Sequence, residues 1–188
     1  MRLTAPRIAP LQDEELTDEQ RAALAPMSAG GRPPLNIFRT LARAPKALTR
    51  FNEWGAYVLS RRNSLPARER EIVILRVGYL CKSGYEFTQH TRIGLNEVLS
   101  EAEIGKIKAG AEAGWSDADA ALIRAADELV GNHFVSDATW TALSKHFDEK
   151  QRMDVVFTAG QYTQVSMFLN SFGVQLDAGQ TLDPDLRA

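Results

Sequence analysis

The side chains best suited to chemistry lie in one short run, Cys81-Lys82-Ser83-Gly84-Tyr85-Glu86-Phe87-Thr88-Gln89-His90. Glu86 and His90 are four residues apart, so on a helix they share one face, a turn apart. A carboxylate beside an imidazole favours the charged ring and raises its pKa. Such a ring is a versatile proton donor and acceptor near neutral pH. Cys81 lies just before the helix expected to carry this pair. Free N–H groups at a helix start stabilise a thiolate, so a lowered thiol pKa is the expectation. Glu71 belongs to the preceding, very apolar segment. A carboxylate there needs a partner or a proton, and such settings host proton relays.

Each of these residues also has an ordinary reading. Glu-x-x-x-His often decorates a solvated helix face, and a lone cysteine after an apolar helix is commonly a small buried hydrophobe. Glu71 has two candidate local partners, Arg68 and Arg76. His133 and His146 have no acidic or cysteine neighbour at metal-ligand spacing; they read as surface residues, and no zinc site is expected. The sequence has no Gly-rich phosphate loop, no G-x-S-x-G and no paired-cysteine motif.

The elements that must position these groups read as helices throughout. Residues 1–34 form a lead-in, with a capping box at Thr17-Asp18-Glu19-Gln20 opening a short helix to about Met27. A Gly/Pro loop follows from Ser28 to Pro34. A second helix fits Leu35 to Arg43, and Pro45 begins a third, with Leu48, Phe51, Gly55, Val58 and Leu59 on one buried face. In Arg68 to Leu80 the residues Ile72, Val73, Ile74, Leu75, Val77 and Leu80 leave almost no polar face. Periodicity alone would allow a buried strand; length and the lead Ala67-Arg68-Glu69-Arg70-Glu71 favour a buried helix. The next helix should run from near Ser83 through His90 to about Glu97. Ser100-Glu101-Ala102-Glu103 is a second capping box, and Ser116 and Ser136 cap two further helices, the latter with Trp140, Leu143 and Phe147. A long helix from Asp148 to Phe172-Gly173 carries Met153, Val156, Phe157, Gly160, Gln164, Met167 and Phe168. The tail, 177–188, reads as loose. With no alternating run and no Asn-Gly hairpin signal, the chain is expected to be all-α: a helical domain over 35–176, with about seven to nine helices in all.

Composition narrows the function. The chain has 188 residues and a net charge of −2, so no basic surplus exists to neutralise a nucleic acid's phosphates. No apolar run approaches the roughly 20 residues of a membrane span, and the N-terminus lacks the apolar region of a secretory signal. One cysteine excludes an intrachain disulfide. A cytoplasmic setting is the expectation.

Leu65-Pro66-Ala67-Arg68-Glu69-Arg70-Glu71, Cys81, Tyr85-Glu86-Phe87, Gln89-His90 and Leu99-Ser100-Glu101-Ala102-Glu103-Ile104 together resemble the carboxymuconolactone decarboxylase family. Looser similarity runs upstream through Pro34-Leu35-Asn36-Ile37-Phe38 and downstream to Asn170-Ser171-Phe172-Gly173-Val174. The resemblance implies an alkylhydroperoxidase D-like helical fold and a homo-oligomer, trimeric or hexameric. The family's peroxidase branch uses a C-x-x-C pair and a following histidine. Here those positions are Cys81, Gly84 and Thr88, so no resolving thiol is available within the chain. The decarboxylase branch keeps a Glu-x-x-x-His pair, which Glu86 and His90 match, while Glu71 matches the relay glutamate of peroxidase-like members. Val98 stands where relatives commonly have glycine. The resemblance thus implies a lyase, decarboxylase or isomerase acting on a small cyclic or unsaturated organic acid or lactone, with no metal or organic cofactor. His90, Glu86, Cys81 and Glu71 would be catalytic, and Tyr85 and Gln89 would bind substrate. The alternative is a single-cysteine thiol antioxidant protein using Cys81.

Overall fold

A computed structural model describes residues 2–187, with the side chains of residues 29 and 30 excepted. Among these residues every regular element is helical: α1 (Asp18–Leu24), α2 (Asn36–Leu41), α3 (Pro45–Leu59), α4 (Ala67–Leu80), α5 (Gly84–Glu97), α6 (Glu101–Ala109), α7 (Asp117–Asn132), α8 (Asp137–Ser144) and α9 (Glu149–Phe172), with three short 3-10 turns. The starts follow local chemistry. Thr17, Ser100 and Asp148 each form a reciprocal capping box, and Ser116 and Ser136 accept from the N–H groups of Asp119 and Thr139.

The apolar segment is a helix, and its packing explains why it lacks a polar face. α4 packs against α5, α6, α7 and α9. Ile72, Val73, Ile74, Leu75 and Val77 are wholly buried, each worth about 1.5–3 kcal/mol of transfer free energy. The charges on α4 are absorbed at its margins. Arg68 binds Glu103 and Asp119 at 2.7 and 2.9 Å. Arg76 binds Asp127 at 2.5 Å and donates to the carbonyls of Ile107 and Lys108, closing the C-terminal end of α6. Both arginines proposed as partners of Glu71 are therefore committed elsewhere.

Four expectations need correction. The first α-helix stops at Leu24, and a 3-10 stretch, Ala25–Gly31, takes over where Pro26 removes an amide donor. Leu59 is exposed rather than part of the buried face of α3. The stripe read on α9 is not its buried face: Met153, Gly160, Gln164 and Met167 are exposed, Val156, Phe157 and Phe168 are half-buried, and the buried face is Val155, Ala159, Tyr162, Val165 and Leu169. The tail is packed, not loose. Leu186 is buried, Lys108 pairs with Asp183 and Asp185, and Asp177 accepts from the backbone N–H of Asn36 at 2.8 Å.

Candidate active site

Glu71 comes from the second turn of α4, and Glu86 and His90 from successive turns of α5. The two helices approach closely at Gly78, where an added Cβ would touch the side chain of Glu86 at 3.6 Å. Because α4 and α5 are packed together, the imidazole lies between two carboxylates. His90 Nδ1 is 2.8 Å from Glu71 Oε2, and Nε2 is 3.0 Å from Glu86 Oε1. All three residues are nearly fully buried. Burial works against the imidazolium, but the two carboxylates outweigh it and push the His90 pKa up to about 10. Tyr162 of α9 stands edge-on to the ring, with centroids 4.9 Å apart. Burial, then the charges of Glu86 and Glu71, hold its hydroxyl protonated.

Glu71, Glu86, His90 and Tyr162 line one cavity of about 450 Å³, whose other walls are mainly apolar residues of α2, α3 and α9. A cavity of this size suits a small organic molecule. Among the described residues no group of three His, Cys, Asp or Glu side chains forms a metal-binding cluster.

Cys81 does not join this group. It is the C-cap of α4 and lines a different hollow, with Thr163, Ser166 and Asn170 of α9. Burial pushes its thiol pKa up, only partly offset by Ser166 and Thr163. The lowered thiol pKa expected from the sequence is therefore not found. Tyr85 and Gln89 do line the main cavity, but their polar ends are occupied. The Tyr85 hydroxyl and the Gln89 amide both donate to Asp177 Oδ2, at 2.5 and 2.6 Å. The tail thereby fixes two walls of the cavity. His133 and His146 are exposed, as expected.

Residues 45–128 match the carboxymuconolactone decarboxylase family. The matched stretch runs from the start of α3 into α7, a little under half of the chain. Glu71, Cys81, Glu86 and His90 all fall inside the matched stretch, while Tyr162 and Asp177 lie outside it. No curated protein matches the sequence significantly. Among solved structures, an uncharacterized peroxidase-related protein with an alkylhydroperoxidase AhpD core, from Ralstonia eutropha, is 18% identical with a TM-score of 0.74, covering 91% of this chain and 93% of its own. A peroxidase-related protein from a Silicibacter species is 17% identical with a TM-score of 0.73, covering 94% and 92%. The debrominase Bmp8, as a cysteine-to-alanine variant in complex with 2,3,4-tribromopyrrole, is 10% identical with a TM-score of 0.74, covering 93% and 94%. At these identities the likeness establishes an AhpD-like fold and no shared reaction.

The sequence pointed to the Glu71, Glu86 and His90 group. It missed three cavity residues, Arg70, Gln161 and Tyr162, and it missed Asp177, which holds Tyr85 and Gln89. An arginine next to a glutamate in so apolar a helix was a usable signal for Arg70. Asp177 had none, since nothing local ties a tail residue to a helix almost ninety positions earlier.

Proposed function

We propose that this protein is an enzyme that moves a proton on a small cyclic or unsaturated organic acid or lactone, as a carbon–carbon lyase (decarboxylase) or an isomerase. The observation that carries this reading is the imidazolium clamped between two carboxylates on the wall of a mainly apolar cavity. Three ionisable groups sharing protons in a water-poor site are a reservoir that gives and takes a proton at little cost in reorganisation.

The geometry refines the role of His90. Both ring nitrogens are engaged, so the ring passes a proton between Glu71 and Glu86, and a carboxyl group or the ring freed from one partner meets the substrate. In a decarboxylation the substrate's C–C bond breaks, CO₂ leaves, and the electron pair spreads into the lactone carbonyl as an extended enolate. The relay then protonates a ring carbon and recovers its proton from water. In an isomerisation the relay removes one proton and returns it at another carbon. Neither step requires a metal or organic cofactor.

Turnover of a panel of unsaturated lactone acids is the test. His90→Gln should lower kcat by about 100-fold or more with little change in KM. Full activity of that variant on any accepted substrate overturns the assignment. Thiol chemistry at Cys81 fits the site less well, because the sulfur is half-buried, its pKa is raised and it lines another hollow. Cys81→Ser should leave turnover intact, and Cys81 should alkylate slowly at neutral pH. A rapid reaction with peroxide at that pH would favour the thiol reading instead.

A further inference from the structure

α4 carries three arginines. Arg68 and Arg76 are paired, as described. Arg70, beside Glu71, has no ion pair and no side-chain hydrogen bond among the described residues, although its Nε is buried. It lines the cavity that holds the Glu71–His90–Glu86 group, and its positive charge is felt at the Tyr162 hydroxyl. A guanidinium offers five donors in a planar fork that matches a carboxylate. Arg70 is half-buried, and leaving its buried Nε–H unmet is costly. Of the three carboxylates in the wall, Glu71 and Glu86 are already spent on His90, and Glu97, exposed at the end of α5, makes no ion pair with Arg70. Across the cavity, the side-chain oxygen of buried Gln161 also lacks a partner.

We propose that Arg70 is the docking point for a carboxylate of the substrate, with Gln161 taking a second polar group. The proposal rests on the proton-transfer reading of the cavity and deepens it. Two carboxylates flank the one imidazole, a setting that disfavours an anion, and the Arg70 guanidinium offsets it. The anchored carboxylate is the one the substrate keeps. Ion pairing stabilises a carboxylate relative to neutral CO₂, so a group held by Arg70 is protected against loss. If the enzyme is a decarboxylase, its substrate therefore carries two carboxylates; if an isomerase, one is enough.

Benzoate and methyl benzoate, alike in shape but not in charge, are suitable probes, with binding followed by NMR at the Arg70 Nε–H and along the cavity wall. Wild-type protein should bind benzoate at least tenfold more tightly than the ester and shift the Arg70 signal. Arg70→Gln should abolish that preference while leaving ester affinity unchanged, and Arg70→Lys should retain part of it. Equal affinity of the wild type for both probes, or a preference that survives Arg70→Gln, overturns the proposal. Because binding is read without turnover, the two readings fail separately. A carboxylate preference lost with Arg70, in a protein that turns over no lactone, supports the anchor and removes only the proton-transfer assignment.

Discussion

His90 keeps its proton because two carboxylates share it, and this has consequences for pH. The folded pKa, about 10, lies above the unfolded value near 6.5. The contribution of the charged ring to stability is therefore full below about pH 6.5 and is lost as pH rises through about 10. Unfolding followed against pH, together with a pH–rate profile, should show a basic limb near 10 and none near 6.5; a limb near 6.5 would mean that the ring is neutral in the resting protein. His90→Ala leaves Glu71 and Glu86 buried and facing each other. The expected loss is about 3–5 kcal/mol in denaturant unfolding, with partial recovery when Glu71→Gln is added. The Glu86 and His90 pairing was legible from their spacing. The Glu71 contact was not, since Arg68 and Arg76 were equally reasonable partners until α6 and α7 claimed them.

At the scale of elements, the turn between α4 and α5 sets the distance between Glu71 and His90. Lys82 holds that turn in the left-handed region, at φ 51°. A Cβ in this conformation costs about 1–2 kcal/mol, and Lys82 is exposed. Lys82→Gly should therefore raise the midpoint of thermal unfolding, by up to about 1 kcal/mol of stability once the flexibility of glycine is counted. A second device fastens α9 to the end of α3. Asp154 accepts from the Tyr57 hydroxyl at 2.7 Å, from the Ser64 amide and hydroxyl at 2.7 and 2.6 Å, and from Lys150 at 2.8 Å. Burial opposes its charge, but Lys150, Ser64 and Tyr57 prevail and hold its pKa near 2. This stabilisation is present above the unfolded value near 3.8 and fades as pH falls toward 2. Asp154→Asn should lower stability by about 1–3 kcal/mol at neutral pH, with the difference from wild type shrinking under acid. Helix starts were readable because caps are local. The inward face of α9 was not, because two apolar stripes compete on one helix.

For the whole molecule, that second stripe suggests assembly. Met153, Gly160 and Met167 on α9 are exposed, as are Trp54 and Leu59 on α3, against which α9 packs. Apolar residues at helical spacing that find no cover within one chain suit a second copy of the same chain. We propose a homo-oligomer, trimeric or hexameric, that buries this face. Light scattering should give a mass of three or six chains, and a Met153→Glu, Met167→Glu variant should reduce it to one. A wild-type monomer at micromolar concentration would refute the proposal. Among the described residues no helix is long and apolar enough to cross a membrane.

The sequence by itself determined the helices, their caps, the deeply buried α4 and the placing of a carboxylate and an imidazole on one face. All of these follow from interactions within a few residues, or from an apolar pattern whose length and charged lead select a helix. Tertiary structure alone decided that Glu71 completes the clamp, that Cys81 lies by another hollow, that Arg70 is left unmatched and that Asp177 reaches back to Tyr85 and Gln89. Each of those outcomes depends on which distant segment packs against a charge or a sulfur, and chain spacing carries no record of that packing.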